Sequence, residues 1–327
     1  MNLPELSDFC EKYLETWNKR STLRTLDRYR MTKNDLSKSD IYPRDKQALC
    51  THPEIIARGE AFIQKLLTHS AYQTMAEVAG IEVLVVTDIC SKLATCSFPV
   101  EISRPIRQVA LTIATDESYH AFVAREFLED LENMSNIPQS QAAETKLDKI
   151  PLIVAIDQFK KSVPQELSGI SELISLCFAE NFLTEDLYGL TKDQNKDEVF
   201  QIIIREHLMD EGRHQLFFQK LLRYLWTQLD ISSKKIISTY LPKFLDQFLM
   251  DLYSMEARDK SVLTSIGIIG NEAELILEEV YDKTLSNWPG YKGGLAHAAS
   301  TYKLLETSGL LDDPFTFQKL KEAQWVP

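Results

Sequence analysis

A chain of 327 residues, 44% hydrophobic and 26% charged, can bury a sizeable core and has the make-up of a globular protein; collagen, disorder and a disulfide scaffold are excluded. Its formal charge of -12, with no basic stripe in view, disfavours nucleic acid and anionic membranes as partners. Met1 to Trp17 carries Glu5, Asp8, Glu11 and Lys12 and so lacks the apolar core of a secretory signal, and no apolar run nears the ~20 residues of a membrane span. Cys10, Cys50, Cys90, Cys96 and Cys177 show no CxxC pairing, as expected of reduced thiols in a cytoplasmic protein.

Apolar residues recur at three- and four-residue intervals, the helical period, which predicts an all-α chain. In chain order the pattern predicts helices over 5–19, 54–69, 71–96, 103–133, 151–162, 167–190, 196–229, 233–256, 271–285 and 295–309. Ser21 to Cys50, rich in Arg, Lys and Asp, is expected to be an irregular surface arm, and the tail after Leu310, with Pro314 and Pro327, likewise. Ser97 to Pro99, Asn133 to Leu147, Pro164 and Thr191 to Lys196 punctuate the helices. No boundary is evident between Glu54 and Gly309. The expected organisation is one helical-bundle domain over 1–327: a helix and arm to residue 53, bundle and accessory helices over 54–309, and a tail over 310–327.

Two segments read D-E-x-x-H: Asp116-Glu117-Ser118-Tyr119-His120 and Asp210-Glu211-Gly212-Arg213-His214. Residues three apart share one helix face, so each Glu and its His can bind one centre while the preceding Asp lies to the side. The other histidines, His52, His69, His207 and His297, have no acid three positions earlier, so the pattern is not a by-product of histidine abundance. His207 stands four residues before Glu211, which sets His207, Glu211 and His214 in one stripe. Glu82 and Glu180 each fall in an apolar helix, where a buried carboxylate needs a cation or a proton. Glu77 is a rival to Glu82, on the same predicted helix but facing elsewhere.

Four-helix bundles build dinuclear carboxylate sites from one Glu on each of two helices and a Glu-x-x-His on each of the others. Glu82, Glu117 with His120, Glu180, and Glu211 with His214 form such a set, and four carboxylates neutralise two divalent ions. The mixture of imidazole and carboxylate suits iron, with manganese as the other option, better than one tetrahedral zinc. Asp116 and Asp210 are expected to accept from the far nitrogens of the ligand histidines, in crossed pairing: Asp210 with His120 and Asp116 with His214.

Over roughly Tyr72 to Lys220 these residues resemble the arylamine N-oxygenases, ferritin-like di-iron proteins typified by p-aminobenzoate N-oxygenase. Glu82 and Glu180 match the lone glutamates, and His207 matches the additional histidine that sets this family apart. The resemblance implies a ferritin-like four-helix bundle core with peripheral helices, two iron ions cycling between Fe2+ and Fe3+, dioxygen as co-substrate, and oxidation of an amine nitrogen of a small molecule to hydroxylamine or beyond, in specialised metabolism. The implied metal ligands are Glu82, Glu117, His120, Glu180, His207, Glu211 and His214. Nothing here binds flavin or nicotinamide recognisably, so electrons come from an external donor or reductase, or from the substrate intermediate.

Two other readings keep the metal site: a hydroxylase or desaturase acting on a C–H bond, against which His207 argues, and a non-catalytic metal-sequestering protein. A radical-generating subunit would want a tyrosine where Ala124 stands. Arg104, Arg107, Arg125 and Arg213 could clamp a substrate carboxylate, though surface salt bridges are their expected role. Phe217, Phe218, Tyr224, Trp226, Phe244, Phe248 and Tyr253 read as core or as a homodimer contact rather than a substrate box.

Overall fold

Helix α1 (Leu3–Arg20) begins where Asn2 and Glu5 cap one another: each side chain accepts from the other's backbone N–H at 3.0 Å. The computed structural model describes residues 1–33, 35, 40–139, 150–191, 199–250, 252–282, 289–295 and 298–327, and among these there is no strand. A single turn, α2 (Thr22–Thr25), two 3-10 turns at Arg44–Lys46 and Ala48–Thr51, and α3 (Pro53–Ala57) lead into the bundle.

The sequence reading ends a helix at 69 and starts the next at 71, and here the structure differs. α4 (Glu60–Ile81) continues through a wide π-helical turn, Glu82–Thr87, into α5 (Asp88–Ala94). The break lies instead at Gly59, whose φ of 86° a residue with a Cβ would adopt only under strain. Ser70 sits comfortably inside α4 because its hydroxyl donates to the Leu66 carbonyl at 3.1 Å.

Next come α6 (Arg104–Ser135), which stops at Asn136 in the left-handed conformation, α7 (Pro151–Ser162), α8 (Gln165–Thr191) and α9 (Val199–Gln228). α10 (Ile231–Leu245) runs into a second wide turn, Asp246–Met250, before α11 (Leu252–Ser265) and α12 (Asn271–Asp282). α13 (Ala299–Thr307) and α14 (Pro314–Glu322) close the chain. Most of the expected breaks at 133–147 and 191–196, and His297, lie outside the described residues.

The pass from α4 through α5 packs along α6, α8 packs along α9, and α6 meets α9, which gives the four-helix core. α1 lies over the seam between α6 and α9. α7 and α13 cover α8, α11 covers α4, and α14 rests on α10.

The interior apolar residues fall into two clusters. One holds Val85, Ile89, Ile113, Cys177, Phe217 and Phe244; the other holds Met75, Ala79, Ala124, Phe127, Phe200 and Ile204. Between them, along α6 and α9, stand the acids and histidines of the two D-E-x-x-H segments. Of the late aromatics, Phe217, Phe218, Tyr224, Trp226 and Phe244 are buried core, and Phe244 stacks on Phe248 with centroids 5.9 Å apart; the Tyr253 side chain lies outside the description.

The tail is a correction to the sequence reading. Asp313 caps α14 by accepting from the Thr316 backbone at 2.8 Å, Pro314 occupies the first helical position, and Trp325 is fully buried. The arm is a second correction: Ser21 and Thr22 at its start are buried, and Met31, Ile41, Tyr42, Leu49 and Cys50 join the core rather than lying on the surface.

Candidate metal centre

Each of the four bundle passes brings at least one acid to the same interior level. Glu82 opens the π-helical turn, a feature that recurs at functional sites because the extra residue re-aims a side chain. Glu180 comes from the middle of α8, Asp116, Glu117 and His120 from α6, and His207, Asp210, Glu211 and His214 from α9. All nine are buried, with Asp116, Glu117, Asp210 and His214 at 0% exposure.

The seven residues read as metal ligands converge. Nδ1 of His120 lies 2.8 Å from Glu117 and 3.7 Å from Glu211. Nδ1 of His214 lies 2.5 Å from Glu117 and 3.5 Å from Glu211. Nε2 of His207 lies 3.0 Å from Glu211 and 3.4 Å from Glu82. Two groups of four have their donor atoms within 4.8 Å of one another: Glu117, His120, His207 and Glu211, and Glu117, Glu180, Glu211 and His214. Glu117 and Glu211 belong to both, so the arrangement can hold two ions side by side with two shared carboxylates.

Most of these atoms do not hydrogen-bond one another. Glu82 Oε2, Glu117 Oε1, Glu180 Oε2, His207 Nε2, Glu211 Oε1 and His214 Nδ1 are all buried without a hydrogen-bond partner. Six orphaned polar atoms aimed into one space would be costly in a protein interior, and cations among them remove that cost.

The electrostatics record the same strain. Burial, then the neighbouring Glu117, pushes Glu82 up from 4.5 to about 8, and burial with Glu211 and Glu117 nearby pushes Glu180 well up. Burial also opposes ionisation of Glu117, but His214 and His120 beside it hold it well below the usual carboxylate range. For His207 burial disfavours the cation, yet the Glu211 and Glu82 carboxylates close beside it drive it well above its ordinary value. His214 rises likewise against its burial, with Tyr13, Glu117 and Glu211 as the main causes.

The far nitrogens are held crosswise. His120 Nε2 is 3.2 Å from Asp210 on the other helix, and His214 Nε2 is 3.3 Å from Asp116. Each acid is itself held. Asp210 accepts from the Thr22 backbone at 3.2 Å and the Thr22 hydroxyl at 2.5 Å; Asp116 accepts from Ser21 at 2.7 Å and from the Trp17 indole at 2.9 Å. Arg213 spans the two, bonded to Asp210 and 3.4 Å from Asp116.

Sequence reasoning missed Trp17, Ser21 and Thr22, and expected of Arg213 a surface salt bridge where the structure has a half-buried clamp between two buried acids. Only the helical pattern of α1 hinted that this segment packs inward. Glu77 is not in the site: it lies 3.5 Å from Arg258 and accepts from Gln73 at 3.3 Å. His69 is a buried histidine against Tyr72, and His52 caps α3.

The comparison with curated proteins found no match. A family model described as p-aminobenzoate N-oxygenase AurF matches residues 5–265, a span that contains all but the first two residues of α1, all four bundle passes and each of the residues above. The chain therefore belongs to the p-aminobenzoate N-oxygenase family, whose members are di-iron oxygenases of ferritin-like helical fold.

Proposed function

We propose that this protein is a di-iron monooxygenase that oxidises an amine nitrogen of a small molecule, with iron held by Glu82, Glu117, His120, Glu180, His207, Glu211 and His214. The observation that carries the reading is the set of orphaned donor atoms on four helices, in a chain of this family. Four glutamates match two divalent charges, and three neutral imidazoles add donors without adding charge. Iron, when bound, supplies the redox chemistry that activates dioxygen.

The chain's own residues do the rest. Asp210 and Asp116 hold Nε2–H of His120 and His214, which leaves Nδ1 of each ring as a lone-pair donor toward the shared carboxylates. Met75, Val78, Val123, Ala124 and Ile203, together with the polar Thr22, Tyr119 and Glu206, line a small pocket that includes His120 and His207. An amine approaching along it must present an unprotonated nitrogen, because the lone pair is what becomes oxidised. His207, in contact with both Glu82 and Glu211, favours nitrogen oxidation over C–H hydroxylation or desaturation, whose enzymes typically lack a third histidine. Electrons come from an external donor, and the working compartment is the cytoplasm. Among the described residues no helix is long and apolar enough to cross a membrane.

The test is to load the protein anaerobically with iron(II), add isotopically labelled dioxygen, and screen aryl and alkyl amines by mass spectrometry. The reading expects one labelled oxygen on nitrogen for at least one amine class. Dioxygen consumption with mineral growth and no amine product would favour sequestration instead.

A further inference from the structure

The two crossed acids end differently. Asp210 leads from His120 to Thr22, a buried residue with no redox chemistry. Asp116 leads from His214 to the indole of Trp17, whose N–H donates to Oδ2 at 2.9 Å and to Oδ1 at 3.1 Å. Asp116 and His214 are wholly buried, whereas Trp17 is only half-buried, so the chain Trp17–Asp116–His214 runs unbroken from the protein surface to a residue of the metal centre.

We propose that Trp17, acting through Asp116 and His214, is the path by which electrons from an external one-electron carrier protein reach the centre. The inference rests on the metal-binding reading above. Electron transfer decays with distance more slowly across covalent and hydrogen bonds than across van der Waals gaps, so a hydrogen-bonded chain ending in a half-exposed indole outcompetes routes through packed aliphatic side chains. Each transfer oxidises the carrier by one electron and reduces one iron(III) to iron(II), and two transfers restore the pair. No bond within the chain forms or breaks, and the indole and imidazole keep their N–H protons. The indole has cations beside it: the Arg24 guanidinium lies 5.8 Å from the ring centroid, and Arg20, three residues on and so on the same helix face, is exposed in the last turn of α1. A carrier with an acidic face fits it.

The experiment compares wild type, Trp17→Phe and Trp17→Tyr after iron loading and oxidation, each mixed anaerobically with a photoreduced acidic iron–sulfur carrier protein. Trp17→Phe is expected to slow iron reduction by about tenfold, with iron content and the visible spectrum of the oxidised centre unchanged, and Trp17→Tyr to fall between. A second readout needs no turnover: on zinc(II) loading, the indole N–H proton resonance that Trp17→Phe removes should shift, reporting the link through Asp116. Unchanged reduction rates in both variants overturn the relay. Slowing that comes only with lost iron or an altered spectrum also overturns it, since Trp17 would then merely brace Asp116. A wild-type protein that takes up no metal sinks the functional reading itself, a result distinct from either.

Discussion

Asp116 on α6 accepts from His214 on α9 at 3.3 Å, although its own neighbour Glu117 faces the shared interior. Asp210 repeats the relationship in reverse with His120. Each D-E-x-x-H segment thus gives a ligand pair to the centre and an orienting acid to the opposite helix, so the two helices hold each other's imidazoles in register.

Asp116→Asn keeps the volume and removes the charge. Asparagine can offer an N–H to Nε2 and so favour the His214 tautomer that lacks a lone pair on Nδ1. Metal affinity is expected to fall by roughly 10- to 100-fold, measured by competition with a chelator. Glu77→Gln, on the same bundle pass as Glu82 but outside the site, should leave affinity unchanged.

Glu180 is 1% exposed among Leu173, Leu176, Cys177 and Phe178, with one oxygen unpartnered. In the metal-free protein Glu180→Leu removes a buried carboxyl whose oxygen has no partner and whose ionisation burial opposes, so the variant should be more stable to urea by about 2 kcal/mol. The sign reverses when metal is present, because wild type gains stability from metal and the variant gains far less. Equal stabilities in both conditions would place Glu180 outside the centre.

Metal uptake should release protons. Burial and Glu117 raise Glu82 from 4.5 to about 8, so at pH 7 the metal-free carboxyl is largely protonated. A raised folded-state value means that the contribution of Glu82 to metal-free stability is full below pH 4.5 and is lost as pH rises through about 8. Iron(II) added to weakly buffered protein at pH 7 is therefore expected to acidify the solution, and at pH 9 to do so less. Titration with a pH electrode under anaerobic conditions reads this directly.

The C-terminal helix should be structural. Trp325 is fully buried and its indole donates to Asp246 at 3.0 Å, so Trp325→Ala is expected to cost roughly 3–5 kcal/mol of stability while metal stoichiometry in the folded fraction stays the same. Urea denaturation followed by circular dichroism measures it.

What the sequence made readable follows from local geometry. Glu117 with His120, and His207 with Glu211 and His214, are fixed by helical spacing alone, and Glu82 and Glu180 stand out because an acid in an apolar helix demands a partner. The groups that hold the orienting acids were not readable. Trp17, Ser21 and Thr22 reach Asp116 and Asp210 across 95 to 188 positions of chain, and no periodicity encodes such contacts. The break expected near Ser70 is absent because its hydroxyl is satisfied within the helix, which lets the polar residue sit in a continuous α4. In the tail, Asp313-Pro314 is a helix-start signal that was outweighed by the two prolines.

The most direct test of the account is iron bound per chain after anaerobic reconstitution and desalting, for wild type and for Glu117→Ala, which removes a carboxylate common to both groups of donors. About two irons per chain are expected in wild type and less than one in the variant. Wild-type protein that retains no iron, or a variant that retains as much as wild type, would contradict it.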